Sequence, residues 1–282
     1  MEFEADMFDS KQSSMNLPNF FIVGANKGGT TSLHYYCSQH PEIFMAQAKE
    51  PMFFTSTGPA QAQQPDEENN TDGLYYKYFT LQEYLALFET ATEPIRGESS
   101  TNYLPNPNAA MWISKFNSNS KIIAILRDPI ERAVSDFEFQ IKVNKSEGRT
   151  LSMAMNDALN KRIDPRHKNL VGENLTRTPA RYLGLGLYGS QVALYKQYFP
   201  DNQLLIADYE EYNKETIEFV RKVYSFLGVG DFTPPDIKRL NTSGKPKPQL
   251  DEDLLGKMKE FFRDDILQLQ EFVNFDVMKW LE

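Results

Sequence analysis

The chain has 282 residues, 40% of them apolar, and 39 acidic against 30 basic side chains give a formal charge of −9. That apolar share builds a sizeable core and excludes a mostly disordered chain. The acidic balance excludes broad nucleic-acid binding, and the lone Cys37 excludes an internal disulfide framework or a multi-cysteine zinc site.

Residues 1–18 are polar and acidic and read as a tail or linker ahead of one domain over residues 19–282. They lack the basic start and apolar stretch of a secretory signal. No run approaches the ~18 apolar residues of a membrane span. The expectation is a cytoplasmic protein with no membrane partner, or a domain cut from a larger chain.

Phe20–Gly24 reads as a buried strand and Thr30–Gln39 as the helix after it. The turn between them carries Lys27, Gly28 and Gly29, and the helix opens with Thr30, Thr31 and Ser32. Glycines let the backbone approach a ligand, free N–H groups at a helix start favour an anion, and Lys27 adds a full positive charge. The segment reads as a cradle for phosphate or sulfate. Two alternatives stay open. One is an ordinary strand-to-helix turn with a Thr cap. The other is the nucleoside-triphosphate loop G-x-x-x-x-G-K-[ST] of a P-loop kinase. Gly24 and Gly29 match that spacing, but Thr30 stands where its lysine belongs.

Lys49 and Glu50 precede Pro51 and, on residue chemistry alone, read as a solvated charge pair. Ser56–Gly73 holds two Pro, two Gly and four acids and is a surface loop. Residues 55–78 are then either padding or a lid beside the site. Ile95–Glu98 is a second strand. A third, Lys121–Leu126, runs into Arg127, Asp128 and Pro129. Asp128 is placed to cap the helix Ile130–Val143, with Pro129 in its first turn. Arg132 and Ser135 share a helical face. Arg127 and Ser135 at the carboxyl edge of a sheet suit a second phosphate; the alternative is a capped helix with exposed charges.

Leu151–Arg162, Leu187–Tyr198 and Asn213–Leu227 show helical spacing, Gln203–Asp208 is a fourth strand, and Glu252–Val273 is a closing helix. Such alternation predicts an α/β single domain with a central, mostly parallel sheet flanked by helices. Ligands of such sheets sit at the carboxyl ends of the strands, where both anion loops fall. His34 reads as a packing or supporting residue and His40 as a C-terminal cap of the first helix. His167 lies in a basic loop and is a candidate base. Asn241–Gln249 is either a linker or a basic flap. The pairs Tyr35–Tyr36, Phe53–Phe54 and Tyr75–Tyr76 read as core. Acids gather in residues 1–19, in Asp66–Asp72 and in Asp251–Glu282, so the remainder of the chain is net positive. The charge thus excludes a broad polyanion and admits a compact anion.

The two anion segments stand one hundred positions apart. Lys27-Gly-Gly-Thr-Thr-Ser-Leu33 resembles K-x-G-T-T-[ST]-L, and Arg127-Asp-Pro-Ile-Glu-Arg-Ala-Val-Ser135 resembles R-[DN]-P-x-x-R-[AS]-x-S. These are the 5′-phosphosulfate loop and the 3′-phosphate motif of sulfotransferases that use 3′-phosphoadenosine 5′-phosphosulfate (PAPS). KEPMFF at Lys49–Phe54, GESSTNYL at Gly97–Leu104 and the stretch Arg181–Tyr212 are similar to further family segments. The likeness runs from Asn19 to Leu281 and is nearer the heparan-type and bacterial branches than the cytosolic phenol and steroid branch. It implies a P-loop-like fold and transfer of a sulfuryl group to an acceptor hydroxyl, leaving adenosine 3′,5′-bisphosphate (PAP), with no metal. It assigns Lys27, Gly28, Gly29, Thr30, Thr31 and Ser32 to the 5′ end of the donor. Arg127 and Ser135 go to the 3′-phosphate, with Ser243, Lys245 and Lys247 closing over it. Glu50 becomes the base and Lys27 the group that neutralises the leaving oxygen, with His167 and Glu98 as alternative bases. Which aromatic meets adenine stays open. The partner implied is a small-molecule or carrier-protein-bound hydroxyl, such as the β-hydroxyl of an acyl chain on a polyketide assembly line; a saccharide is the alternative.

Overall fold

Five short strands form one sheet: β1 (Phe20–Gly24), β2 (Ile43–Met45), β3 (Ile95–Ser99), β4 (Lys121–Leu126) and β5 (Leu204–Asp208). Their order is β2-β3-β1-β4-β5, and all four pairings are parallel. The computed structural model describes residues 16–55, 80–143, 147–160, 181–238 and 250–282. Residues 1–15, the candidate lid apart from Thr55, Tyr75, Tyr76, His167, Ser243, Gly244, Lys245 and Lys247 lie outside the described residues.

The described helices are α1 (Thr30–Cys37), α2 (Leu81–Ala86), α3 (Ala109–Phe116), α4 (Pro129–Val143), α5 (Leu151–Asn160), α6 (Arg181–Gly184), α7 (Tyr188–Lys196), α8 (Tyr209–Lys214), α9 (Thr216–Leu227) and α10 (Glu252–Gln270). Strand residues alternate between the two faces of the sheet. Phe21, Val23, Ile122, Ala124 and Leu126 meet α3, α4, α5, α7 and α10 on one face. Phe20, Ile22, Ile123 and Ile125 meet α1 and α9 on the other. With both faces covered, β1 and β4 are near-continuous apolar runs, as parallel strands require. Each such core side chain contributes about 1.5–3 kcal/mol by leaving water.

Three differences from the sequence reading are local. β2 has only three residues, too few to show a period. The helix expected over Asn213–Leu227 is broken at Glu215, whose φ of −124° and ψ of 55° end α8 before α9 begins. The segment Asn16–Pro18 is tied to the body: Asn16 Nδ2 donates to Ala91 O at 2.6 Å and Arg96 Nε to Leu17 O at 2.8 Å.

The chain passes from β1 outward through β2 and β3, then crosses to β4 on the other side of β1. A crevice at the carboxyl ends of β1 and β4 is the expected ligand position for this topology. A second device steadies that edge from behind. The buried carboxylate of Asp265 on α10 accepts from Gly189 N–H at 2.7 Å, Ser190 N–H at 2.9 Å and Ser190 Oγ at 2.7 Å, capping the first turn of α7.

Candidate active site

The turn after β1 is stitched to β4: Ala25 N–H donates to Ile125 O and Gly28 N–H to Ala25 O, both at 2.9 Å. Two positions in it require glycine. A Cβ on Gly28 would lie 2.4 Å from Ile125 O, and Gly29 has φ 84° with the Tyr212 ring 2.6 Å from where its Cβ would stand. Ser32 N–H folds back onto Gly29 O at 3.0 Å. The N–H groups of Gly29, Thr30 and Thr31 are then without a partner among the described residues, at the start of an eight-residue helix. Those are the orphan donors an anion satisfies. The N–H groups open to such an anion are therefore those of Gly29–Thr31, while Gly28 and Ser32 spend theirs within the turn.

Lys27, at φ 67°, places its ammonium 4.1 Å from the centre of the Phe139 ring. Burial pushes its pKa below the ordinary lysine value. Asp136 opposes that, and the guanidinium groups of Arg127, Arg132 and Arg181 push it lower still. Cations thus outnumber carboxylates around Lys27, which suits an anionic ligand.

Arg127 leaves β4 with its Nε and Nη2 at 3.2 and 3.0 Å from Glu131 Oε2 and its guanidinium 5.0 Å from the Tyr209 ring centre. Asp128 Oδ1 accepts Ile130 N–H at 2.8 Å and Glu131 N–H at 3.0 Å, the expected cap. Ser135 is half-buried on α4. Arg132 does not fit the alternative of a capped helix with exposed charges. It is fully buried, reaching Asp136 Oδ2 at 3.3 Å and Tyr182 O at 2.5 Å. Arg181 grips the same carboxylate at 3.0 and 2.9 Å. Burial alone would raise Asp136, but Arg181 and Arg132 outweigh it and hold its carboxyl below the usual range. Arg132 is thus a structural group behind Lys27.

Glu50 sits at the end of the neighbouring strand. Its N–H donates to Ser99 O at 2.9 Å, and its carboxylate accepts from Thr101 N–H at 2.8 Å, Thr101 Oγ1 at 3.2 Å and Lys49 Nζ at 2.6 Å. Side chains of both Lys49 and Glu50 are one-quarter exposed. The pair is therefore anchored to β3 yet open to a substrate, unlike a solvated surface pair. Ser100 N–H donates to Ile22 O at 3.1 Å, which keeps this loop beside β1.

Glu98 has no exposed surface and is surrounded by hydroxyls of Tyr84, Ser100 and Tyr103. It is too enclosed to meet an acceptor. His34 Nδ1 lies 3.0 Å from Ser99 Oγ, and burial, with Lys49 nearby, pushes its pKa down to about 4. It is a neutral supporting residue, as expected. The capping role expected for His40 is not observed. α1 ends at Cys37, and Ser38 N–H closes it on His34 O. His40 is buried three residues further on, between the rings of Tyr224 and Phe232, with Nδ1 accepting Glu42 N–H at 3.1 Å and Nε2 at 3.0 Å from Gly230 O. Phe53, Phe54 and Tyr36 are core as read, and Tyr35 instead donates its hydroxyl to Asp236 Oδ2 at 2.7 Å. Sequence reasoning missed the Asp136 cluster and the Glu98 hydroxyls; its available signal for Glu98 was an acid within an otherwise buried strand end. No group of three or more metal-ligating side chains is found among the described residues, and no described helix is long and apolar enough to cross a membrane.

Comparison with known proteins bears on the family and the fold. The family described as the sulfotransferase domain matches residues 17–242. Heparan sulfate glucosamine 3-O-sulfotransferase 3B1 of Mus musculus is 25% identical over 91% of this chain and 63% of its own length. The membrane-associated sulfotransferase kil1 of Dictyostelium discoideum is 36% identical over 46% of this chain and 25% of its own. The chain thus spans between one quarter and just under two thirds of these relatives. A sulfotransferase from Alicyclobacillus acidocaldarius superposes with a TM-score of 0.76 at 28% identity, covering 94% of this chain and 99% of that one. The sulfotransferase domain of the Synechococcus PCC 7002 olefin synthase shares the fold at TM-score 0.54 and 16% identity, covering 95% and 98%. The chain belongs to the sulfotransferase domain family, a family of sulfate-transferring enzymes.

Proposed function

We propose that this protein is an O-sulfotransferase whose donor is PAPS. The observation that carries the reading is the sequence of groups along one sheet edge. Glu50 stands at the end of β3, the Gly29–Thr31 N–H cradle with Lys27 at the end of β1, and Arg127 with Ser135 beyond β4. A multiply charged donor fits there: Gly28 and Gly29 let the turn pack against β4 and Tyr212, three N–H donors await an anion, and the surrounding charge is positive. When bound, the donor supplies an activated sulfuryl group on a 5′-phosphate oxygen. Gly29, Thr30 and Thr31 would hold the phosphosulfate through N–H donors. Arg127 and Ser135 would hold the 3′-phosphate and fix the register of the nucleotide. Glu50 would accept the proton of the acceptor hydroxyl as its oxygen bonds to sulfur. Lys27 would meet the electron pair left on the bridging oxygen when the old S–O bond breaks.

The acceptor is a hydroxyl on a compact substrate. Saccharide sulfotransferases among the curated relatives support a sugar hydroxyl. The net charge of −9 disfavours a long polyanionic sugar and favours a short or neutral one, or a carrier-bound β-hydroxyacyl chain. Thermal unfolding with PAP, or with ATP and magnesium, tests the donor, because a ligand of the native state raises the midpoint with the logarithm of its concentration. Stabilisation by PAP supports the reading, and stabilisation by ATP–magnesium alone refutes it. Mass analysis after incubation with PAPS and either a neutral oligosaccharide or a β-hydroxyacyl carrier then identifies the acceptor class.

A further inference from the structure

The end of β3 and the residues after it hold a polar network that the reaction scheme leaves unused. Glu98, Ser99 and Ser100 have no exposure, and Thr101 has 6%. No Lys or Arg pairs with Glu98 among the described residues. Three hydroxyls converge on its carboxylate: Tyr103 at 2.6 Å, Ser100 at 2.7 Å and Tyr84 at 3.1 Å. Two of them also receive a backbone N–H from the segment that follows Glu50. Met52 N–H donates to Ser100 Oγ at 3.0 Å, and Phe54 N–H to the Tyr103 hydroxyl at 3.4 Å. Each relay therefore runs from a backbone amide through a hydroxyl to one buried carboxylate.

That segment needs such support. Glu50 at φ 60° and Met52 at φ 57° are non-glycine residues in the left-handed region. Backbone of this kind persists only where its surroundings over-determine it. The turn aims Glu50, whose side chain is otherwise oriented, among the described residues, by Thr101 and Lys49. An ionised carboxylate is the suitable anchor, because a hydroxyl that donates to an anion becomes a better acceptor for the amide behind it. An amide in its place would turn an N–H toward Ser100 or Tyr103 and leave that hydroxyl's proton without its acceptor.

We propose that Glu98 is a positioning residue. Its carboxylate, relayed through the Ser100 and Tyr103 hydroxyls, holds the Glu50–Phe54 turn and with it the aim of the Glu50 carboxylate at the acceptor. The proposal rests on the reading of Glu50 as the base. Burial raises the Glu98 carboxyl to about 7, against the pull of the Tyr103, Ser100 and Tyr84 hydroxyls and with a small push from Glu50. Tyr195 on α7 is a further titratable group that feels this charge. Turnover should accordingly fall as pH drops through about 7, when the anchor becomes neutral.

The test compares Glu98→Gln, Glu98→Asp and Glu50→Gln in steady-state sulfuryl transfer and in PAP binding by calorimetry. In Glu98→Gln, kcat should drop about 10- to 100-fold, the range that a misplaced catalytic group costs. PAP affinity should hold within about twofold, since the Lys27 and Arg127 loops are untouched, and the limb near pH 7 should vanish. Glu98→Asp, which keeps the charge, should recover part of kcat. Loss of turnover in Glu50→Gln with wild-type kcat and pH profile in Glu98→Gln overturns the proposal alone. Wild-type turnover in Glu50→Gln overturns the base reading and the proposal with it. Should Glu98→Gln fail to fold, Ser100→Ala tests the same relay. A several-fold fall in kcat with unchanged PAP affinity supports the proposal, and an unchanged kcat overturns it.

Discussion

Glycine-to-alanine substitution at two positions gives opposite outcomes, and the structure supplies the magnitudes. At Gly28 the added carbon would lie 2.4 Å from Ile125 O and 3.0 Å from Ala25 O, both backbone atoms. An ordinary carbon–oxygen contact needs roughly 1 Å more than the first of these. The turn must therefore lift from β4, and the Ala25 N–H to Ile125 O bond at 2.9 Å is lost or stretched. Overpacking costs about 1–3 kcal/mol, and the lost hydrogen bond about 0.5–1.5 kcal/mol. Gly28→Ala should therefore destabilise by about 2–4 kcal/mol, a fall of roughly 3–7 °C for a chain of this size. The same displacement moves Lys27 and the cradle, so PAP binding should weaken at least tenfold. At Gly256, exposed in α10, no atom beyond its chain neighbours and its own turns of helix backbone lies within 4 Å of the added carbon. Alanine there removes unfolded-state freedom and should stabilise by about 0.5–1 kcal/mol, with PAP affinity unchanged. Differential scanning calorimetry and isothermal titration read both quantities. Gly28→Ala with wild-type stability and wild-type affinity would refute the packing of this turn against β4.

Lys27→Met should lower kcat by about 100- to 1,000-fold, the usual cost of removing a donor to a developing oxyanion. Stability should hold or rise, since burial and three guanidinium groups disfavour the ammonium. A kcat within tenfold of wild type would assign the leaving oxygen to another group. Asp136→Asn leaves Arg132 and Arg181 facing a neutral amide and should cost about 3–5 kcal/mol in urea unfolding at pH 7. The Asp136 carboxyl is held below its ordinary 3.8, so its stabilisation is complete above that value and is lost as pH falls through the lower native one. The gap between variant and wild type should therefore narrow below pH 3.8. Glu98 runs the other way. Its carboxyl is raised from 4.5 to about 7, so burying it costs nothing below 4.5 and progressively more up to about 7. Glu98→Gln should gain about 3 kcal/mol relative to wild type between those pH values, even as it loses turnover. A difference in unfolding free energy that stays flat with pH would contradict a buried, titrating Glu98.

Much of the candidate site's local structure was legible in the chain because its parts are local. Phe20–Gly24 with its glycine turn, and Lys121–Leu126 with the Asp128 cap, each complete their structure within about a dozen residues. Spacing and residue type were therefore sufficient to find them. The same locality made four of the strands and the capped start of α4 readable. Where the sequence misled, long-range contacts outweighed local preference. His40 looked like a helix cap and became a buried bridge because Tyr224, Phe232 and Gly230 close around it from nearly two hundred residues away. Arg132 shares a helical face with Ser135, yet Asp136, Tyr182 and Arg181 draw it into the core.

The sequence by itself determined the glycine turn after β1, the capped turn after β4, the α/β class and the family resemblance, because these rest on short segments whose chemistry is carried in consecutive residues. Only the tertiary structure decided which of the candidate charges stand at the carboxyl edge of the sheet and which hold one another. Strand order places Glu50, Lys27 and Arg127 along one edge, and burial turns Glu98 and Asp136 into anchors behind it. Those assignments depend on distances between residues remote in the chain, and no pattern of neighbouring residues encodes them.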